Sequence, residues 1–202
     1  MADKPKIALI VSSTRDSRWG DKPARWMLGQ MQARDDMEVE LVDLRDFDLP
    51  FFNEVASNAF VPSKDPNARR WQQKIGGFDG YVFVVAEYNR SITGALKNAL
   101  DQSYVEWNRK PMGCIGYGSV GAARAIEQLR LMAIELQMVP VRAAVHIGGS
   151  DFYRVGPYNP NPEPIEAIEQ GLMAGAKEML DAVAFYARVL RDAKAAEVQR
   201  AA

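Results

Sequence analysis

The sequence has one cysteine, Cys114, and one histidine, His146, among its 202 residues. A single thiol cannot close an internal disulfide, so nothing in the chain asks for an oxidising compartment. One imidazole and one thiol do not make the Cys/His cluster that a zinc-type site requires. No apolar run approaches the roughly 18 residues of a membrane span, and the first strand-like run starts at Lys6, too early for a signal peptide. Neither charge is in excess: 25 Lys and Arg against 26 Asp and Glu give a formal net charge of −1. Nucleic acid and anionic membranes both call for a basic surface, so near-neutrality argues against either as a partner. It also argues against a strongly acidic electron carrier. There is no GxxxxGK[ST] phosphate loop, no internal repeat and no low-complexity block. The expectation is a cytoplasmic protein.

What is present is an ordinary globular balance, 48% hydrophobic and 25% charged, at the size of one large domain. Residues 6–12, 80–86 and 111–117 are short and almost wholly apolar, as strands covered on both faces are. Residues 38–44 alternate, and 140–147 complete a set of five strands. Between them, Ala24, Met27, Leu28 and Met31 follow a possible Asp21 cap and Pro23. Ile92, Leu96, Ala99 and Leu100 form a second helical stripe, and Ala122, Ala125, Ile126, Leu129, Ala133 and Leu136 a third. A long last helix runs from Ile165 to Leu190, and an Ala-rich tail from Ala193 is expected to fray. This alternation predicts one doubly wound α/β domain over 1–192, flavodoxin-like, with five parallel strands in the order 2-1-3-4-5 between helical layers. Two stretches do not fit it. Residues 45–67 are too apolar for a solvated loop, and the proline-rich 148–164 is expected to be irregular.

In such a sheet a ligand sits beyond the carboxyl ends of the strands, where the winding reverses. Three loops reach that place. After the first strand, Ser12-Ser-Thr-Arg-Asp-Ser-Arg-Trp-Gly20 brings hydroxyls and two arginines to a helix N-terminus, a combination suited to a phosphate monoester. Capping alone would need one hydroxyl and no arginine. After the third strand, Glu87-Tyr-Asn-Arg-Ser-Ile-Thr-Gly94 can cover a flat ring and bond its edges. The plainer alternative is a turn with Asn89 in a strained conformation and Ser91 or Thr93 capping the next helix.

After the fourth strand, Gly116-Tyr-Gly-Ser-Val-Gly121 spells G-x-G-x-x-G. The dinucleotide fingerprint belongs to a first strand and needs an acidic residue about 20 positions later. Here that stretch is Val141-Arg142-Ala143, so the motif reads as a Gly-rich turn that lets backbone approach a ligand. Ser119 does not head a hydrolase triad: His146 precedes Asp151, and residue 117 is Tyr, not Gly. Cys114 reads as a small buried hydrophobe, and Trp26, Trp71 and Trp107 as packing residues.

Ser13-Thr-Arg-Asp-Ser-Arg18-Trp-Gly20, Glu87-Tyr-Asn-Arg-Ser-Ile-Thr-Gly-Ala-Leu-Lys-Asn-Ala-Leu-Asp101 and Gly118-Ser-Val-Gly-Ala-Ala-Arg-Ala125 together resemble the NAD(P)H-dependent FMN reductase family. The similarity runs over about 6–147, and its most specific part is E-Y-N-x-S-x-x-G-x-L-K-N-A-x-D. The resemblance implies a flavodoxin-like fold, bound FMN, NADPH or NADH as reductant, and a homodimer or homotetramer. It implies that Ser13, Arg15 and Arg18 hold the phosphate, with Trp19 and Gly20 beside them. Glu87, Tyr88, Asn89, Arg90 and Ser91 would run along the isoalloxazine, and Tyr117, Gly118, Ser119, Val120 and Gly121 would meet the ring and ribityl chain. Four departures from the family pattern stand out: Ser12 for Gly, Asp16-Ser17 for Pro-Gly, Ala86 for Pro and Thr93 for Pro.

The reaction so implied is ping-pong transfer of hydride from NAD(P)H through FMN to a small-molecule acceptor such as a flavin, quinone or azo compound. The protein supplies position and electrostatics, and no acid–base residue is required. Arg15 and Arg90 are candidates for the nicotinamide cofactor's extra phosphate. Phe51, Phe52 and Phe60 belong to a subunit interface or a pocket mouth. The alternative is a flavodoxin-type electron carrier that does not itself oxidise NAD(P)H; its Thr/Ser-rich phosphate loop lacks the arginines found here.

Overall fold

In the computed structural model, which describes residues 4–201, side chains of consecutive strand residues point to opposite faces of one sheet. Along β1 (Lys6–Val11), Ile7, Leu9 and Val11 enter one core while Ala8 and Ile10 enter the other. β3 (Gly80–Ala86) and β4 (Pro111–Tyr117) are buried along their whole length and split in the same way. That double burial is why these runs carry no polar alternation. β2 (Glu38–Asp43) is the outer strand beside β1, and the alternation the sequence predicts does not carry through it: Glu38, Glu40 and Leu41 are exposed and Val42 is buried. All pairings are parallel, and the order is 2-1-3-4-5, as the sequence predicts. α1 (Asp21–Gln32) and α6 (Glu169–Ala201) cover one face. α2 (Pro66–Gly76), α3 (Gly94–Asp101) and α4 (Ala123–Glu135) cover the other.

The fifth strand position is shared by two short pieces, β5 (Val139–Pro140) and β6 (Val145–Ile147), and not by one run over 140–147. Met112 pairs with Pro140 but Ile115 with Val145, so the outer strand carries two more residues than β4 over the same interval. Arg130 fixes this bulge by donating to the carbonyls of Val141 and Arg142.

Residues 45–67 are laid over α3. Asn98 and Gln102 donate to the Pro50 carbonyl at 2.8 and 2.7 Å, and Asn98 accepts from the Phe52 N–H. Residues 148–164 are not wholly irregular: they contain α5 (Gly149–Val155). A 3-10 turn, Ile165–Ile168, leads into α6. That helix continues past Ala193 through Ala201, where Glu197 pairs with Arg109 at 2.6 Å. Trp26, Trp71 and Trp107 are buried between helices and sheet, and Cys114 lies in the core.

Candidate functional site

The loop between β1 and α1 is anchored at its start by two hydroxyls. Ser12 Oγ donates to the Val84 carbonyl, and Thr93 Oγ1 donates to the Ser12 carbonyl at 2.9 Å while capping α3 by accepting from Leu96 N–H. Beyond that point two guanidinium groups hold the loop through its carbonyls. Arg18 donates to the Ser13 carbonyl at 2.9 Å, and Arg45 donates to the carbonyls of Thr14 and Arg15. In a trans peptide the N–H points away from the C=O. The N–H groups of Thr14, Arg15 and Asp16 are thereby turned the other way, and among the described residues none of them bonds to a protein acceptor. Ser13 Oγ is buried and also has no partner. Gly20, at the N-cap of α1, offers no side-chain cap. A set of unspent backbone donors beside an orphaned hydroxyl is what an anionic group such as a phosphate needs.

The two arginines of this loop differ in what they already hold. Arg18 is almost closed from solvent and ion-paired with Asp43, at the end of β2, and with Asp21. Asp43 holds its guanidinium pKa above the usual arginine value. Arg15 is exposed, and its partners are two neutral hydroxyls, Tyr88 at 2.9 Å and Ser17 at 3.2 Å. Arg15 therefore keeps an uncompensated charge and also links this loop to the one after β3.

In that second loop Tyr88 and Ser91 exchange backbone hydrogen bonds of 2.9 and 3.0 Å around Asn89 and Arg90, whose φ values are +49° and +68°. Two left-handed residues in a two-residue hairpin make a type I′ turn, for which asparagine is well suited. Asn89 and Arg90 face solvent. Glu87, nearly closed from solvent, pairs with Arg124 of α4, and its Oε2 has no partner.

In the third loop Gly118 (φ +144°) and Gly121 (φ +63°) are in conformations that side chains resist. A Cβ on Gly121 would also stand 2.8 Å from that of His146. His146 Nδ1 lies 2.9 Å from the Gly121 carbonyl, a structural contact.

These loops surround a cavity of about 670 Å³. Arg15, Arg18, Trp19, Glu87, Tyr88, Tyr117, Gly118 and Ser119 line it. Ser13 and Gly20 are buried in the adjoining loop, while Asn89, Arg90, Ser91, Val120 and Gly121 shape the turns outside the lining. Burial in this wall pushes the Tyr117 hydroxyl pKa well up, so it stays protonated. The opposite wall has no counterpart among the residues that the sequence singled out: Gly149, Phe152, Tyr153, Pro157 and Tyr158. Its signal was an unexplained long loop with three aromatics at the carboxyl end of the last strand. The Trp19 indole N–H donates to the Val155 carbonyl at 3.0 Å, and its ring meets Tyr117 and Phe152 edge-on at 5.1 and 5.3 Å.

Residues 5–151 match the family model described as NADPH-dependent FMN reductase. An NAD(P)H-dependent FMN reductase from Nectria sp is 39% identical over 61% of this chain, and the chain spans 65% of that relative's length. A 2-hydroxy-1,4-benzoquinone reductase from Burkholderia sp is 33% identical over 66% of this chain and 73% of its own. The solved structure of FerB, a flavoenzyme NAD(P)H:(acceptor) oxidoreductase from Paracoccus denitrificans, superposes with a TM-score of 0.65 at 24% identity, covering 91% of this chain and 97% of that one. The match to the family model takes in the sheet and all three loops that meet at the cavity, and on that ground the chain belongs to the NADPH-dependent FMN reductase family.

Proposed function

We propose that this protein binds FMN in the cavity at the strand ends and carries two electrons from NADPH or NADH to a small-molecule acceptor such as a quinone, an azo compound or a free flavin. The observation that carries this is the β1–α1 loop, whose carbonyls are held from behind so that its N–H groups, with Ser13 Oγ, are left free for a phosphate. Ser13 and Arg15 would hold that phosphate, and Arg18 would hold the loop. FMN would supply the hydride chemistry. The chain's own part is to bind, orient and exclude water, to which the edge-on cluster of Trp19, Tyr117 and Phe152 in the cavity lining would contribute. No side chain here needs to exchange a proton.

Phe51, Val55 and Phe60 are 87%, 92% and 84% exposed on the segment over α3, an apolar surface that supports a homodimer or homotetramer. Sedimentation velocity of the wild type and of Phe51→Ser/Phe60→Ser checks this, and an unaltered monomer in both refutes it. Cys114 is buried, and burial pushes its thiol pKa up to about 12, so it is inert; a cytoplasmic setting is proposed only because a lone thiol asks for no oxidising compartment. Among the described residues no helix is long and apolar enough to cross a membrane.

The test of the function is an absorbance spectrum after addition of FMN and then anaerobic NADPH or NADH. Shifted flavin bands that bleach are expected. Bands that persist with both nucleotides point to a carrier fed by another protein, and unshifted bands refute the cofactor site.

A further inference from the structure

The family match ends at residue 151, just before the aromatic wall of the cavity begins. That wall is a built feature. Trp19 holds it through the Val155 carbonyl, and Gly156 turns the chain so tightly that a Cβ there would collide with the Phe152 carbonyl oxygen. Arg154 ties the returning segment back through two hydrogen bonds to Glu163, at 3.0 and 2.7 Å, and its carbonyl accepts from the Glu163 and Asn159 nitrogens.

On this held frame two tyrosines are presented outward at the cavity mouth. Tyr153 is 59% and Tyr158 is 78% exposed, and Tyr158 stands edge-on to Phe152 at 6.1 Å. Tyr88 lines the same cavity. Large rings kept in water at the lip of a cavity, on a segment that several contacts hold still, are placed to stack on a flat ligand. Rigid placement also lowers the ordering cost that a mobile loop would charge to binding.

We propose that Tyr153 and Tyr158 are the acceptor-selecting residues of this site: a planar aromatic acceptor of the quinone class stacks on them as it enters, and Tyr158 sets the preference for flat acceptors over compact ones. This rests on the cavity being the electron-transfer site proposed above. The phenol hydroxyl is not needed, because stacking uses the ring.

The experiment compares wild type, Tyr158→Ala and Tyr158→Phe. Binding of 2-methyl-1,4-naphthoquinone to the oxidised protein is measured by equilibrium dialysis without reductant, with and without FMN. Turnover is measured with the same quinone and with ferricyanide, and FMN affinity by fluorescence titration. In Tyr158→Ala the quinone should bind about three- to tenfold more weakly, and the ratio of kcat/KM for quinone to that for ferricyanide should fall by a similar factor. Tyr158→Phe should restore both. Equal quinone binding in wild type and Tyr158→Ala overturns the inference. So does a loss confined to FMN affinity, which would make the wall a cover for the cofactor. A misassigned cofactor site gives a different result, because FMN titration then fails already in the wild type.

Discussion

Replacing Arg18 with Met should cost stability through Asp43 and should weaken the phosphate site only through the loop. The guanidinium is 6% exposed and serves Asp43, Asp21 and the Ser13 carbonyl. Removing one partner of a fully buried pair costs about 3–5 kcal/mol. Here the carboxylates are 22% and 38% exposed, so water screens part of the loss, and about 2–3 kcal/mol is expected. With a urea slope of about 2–3 kcal/mol/M, the midpoint should fall by about 1 M. Tryptophan fluorescence reports the transition.

The partner variant Asp43→Asn completes a double-mutant cycle, in which a coupling of roughly 1.5–3 kcal/mol is expected. Burial works against ionisation of Asp43, but the Arg18 hydrogen bonds and the Arg45 N–H outweigh it and leave the carboxyl pKa below its ordinary value. A carboxyl depressed in the folded state contributes stability that is complete above its unfolded pKa, about 3.9, and is lost as pH falls through the folded value. The wild type should therefore lose this contribution below about pH 4, and Arg18→Met should lack that part of the acid limb. If Arg18→Met costs less than about 0.5 kcal/mol, or if the two single losses simply add, the pair does not brace the loop.

Arg15→Ala should weaken FMN about tenfold or more in fluorescence titration while leaving the urea midpoint within about 0.2 M, because among the described residues its exposed side chain bonds two hydroxyls and no carboxylate. Trp71→Ala should cost about 3–5 kcal/mol in the same unfolding assay, since Trp71 is fully buried between Phe47 and Trp107 and donates to the Ala99 carbonyl at 2.8 Å. Burial lowers the Lys110 pKa to about 8, with Lys194 adding to the shift, against about 10.4 in the unfolded chain. Between those values the unfolded state binds more protons, so stability should rise from pH 8 to 10; in Lys110→Met that rise should vanish, and a rise that persists assigns it elsewhere.

The parts of the fold that were legible are those where one physical demand sets the residue type. β1, β3 and β4 are buried on both faces and show it as unbroken apolar runs. α2 was not legible as a helix because its buried stripe is only Ala68, Trp71 and Ile75 among arginines, glutamines and a lysine. Its start was marked all the same, by Asp65 accepting from Ala68 N–H ahead of Pro66. The bulge between β5 and β6 could not be read, because the carbonyls that hold it belong to the backbone and their donor, Arg130, comes from α4. At the site, the three loops could be found from glycines, hydroxyls and arginines placed after strands. The aromatic wall could not, since the seven residues of α5 are too few to show a helical period, the prolines crowd in just after it, and the contact that seats it reaches from Trp19 to Val155.

The same limit explains why the sequence could not divide the labour between the two arginines of the first loop. Arg15 and Arg18 lie on one short segment and carry the same charge, so composition treats them alike. What separates them is Asp43, contributed by the strand that pairs beside β1. Its carboxylate neutralises Arg18 and turns it into a brace for the Ser13 carbonyl, and the peptide so oriented frees the Thr14 N–H. Arg15, with no carboxylate in reach among its bonds, remains the cation that an incoming phosphate would meet. Exchanging the roles would need only a new acid near Arg15. Ser17→Asp provides one, beside a guanidinium that Ser17 already touches. That variant should bind FMN about tenfold more weakly while keeping the wild-type urea midpoint, and undiminished FMN affinity would show that the free charge on Arg15 is not what the phosphate uses.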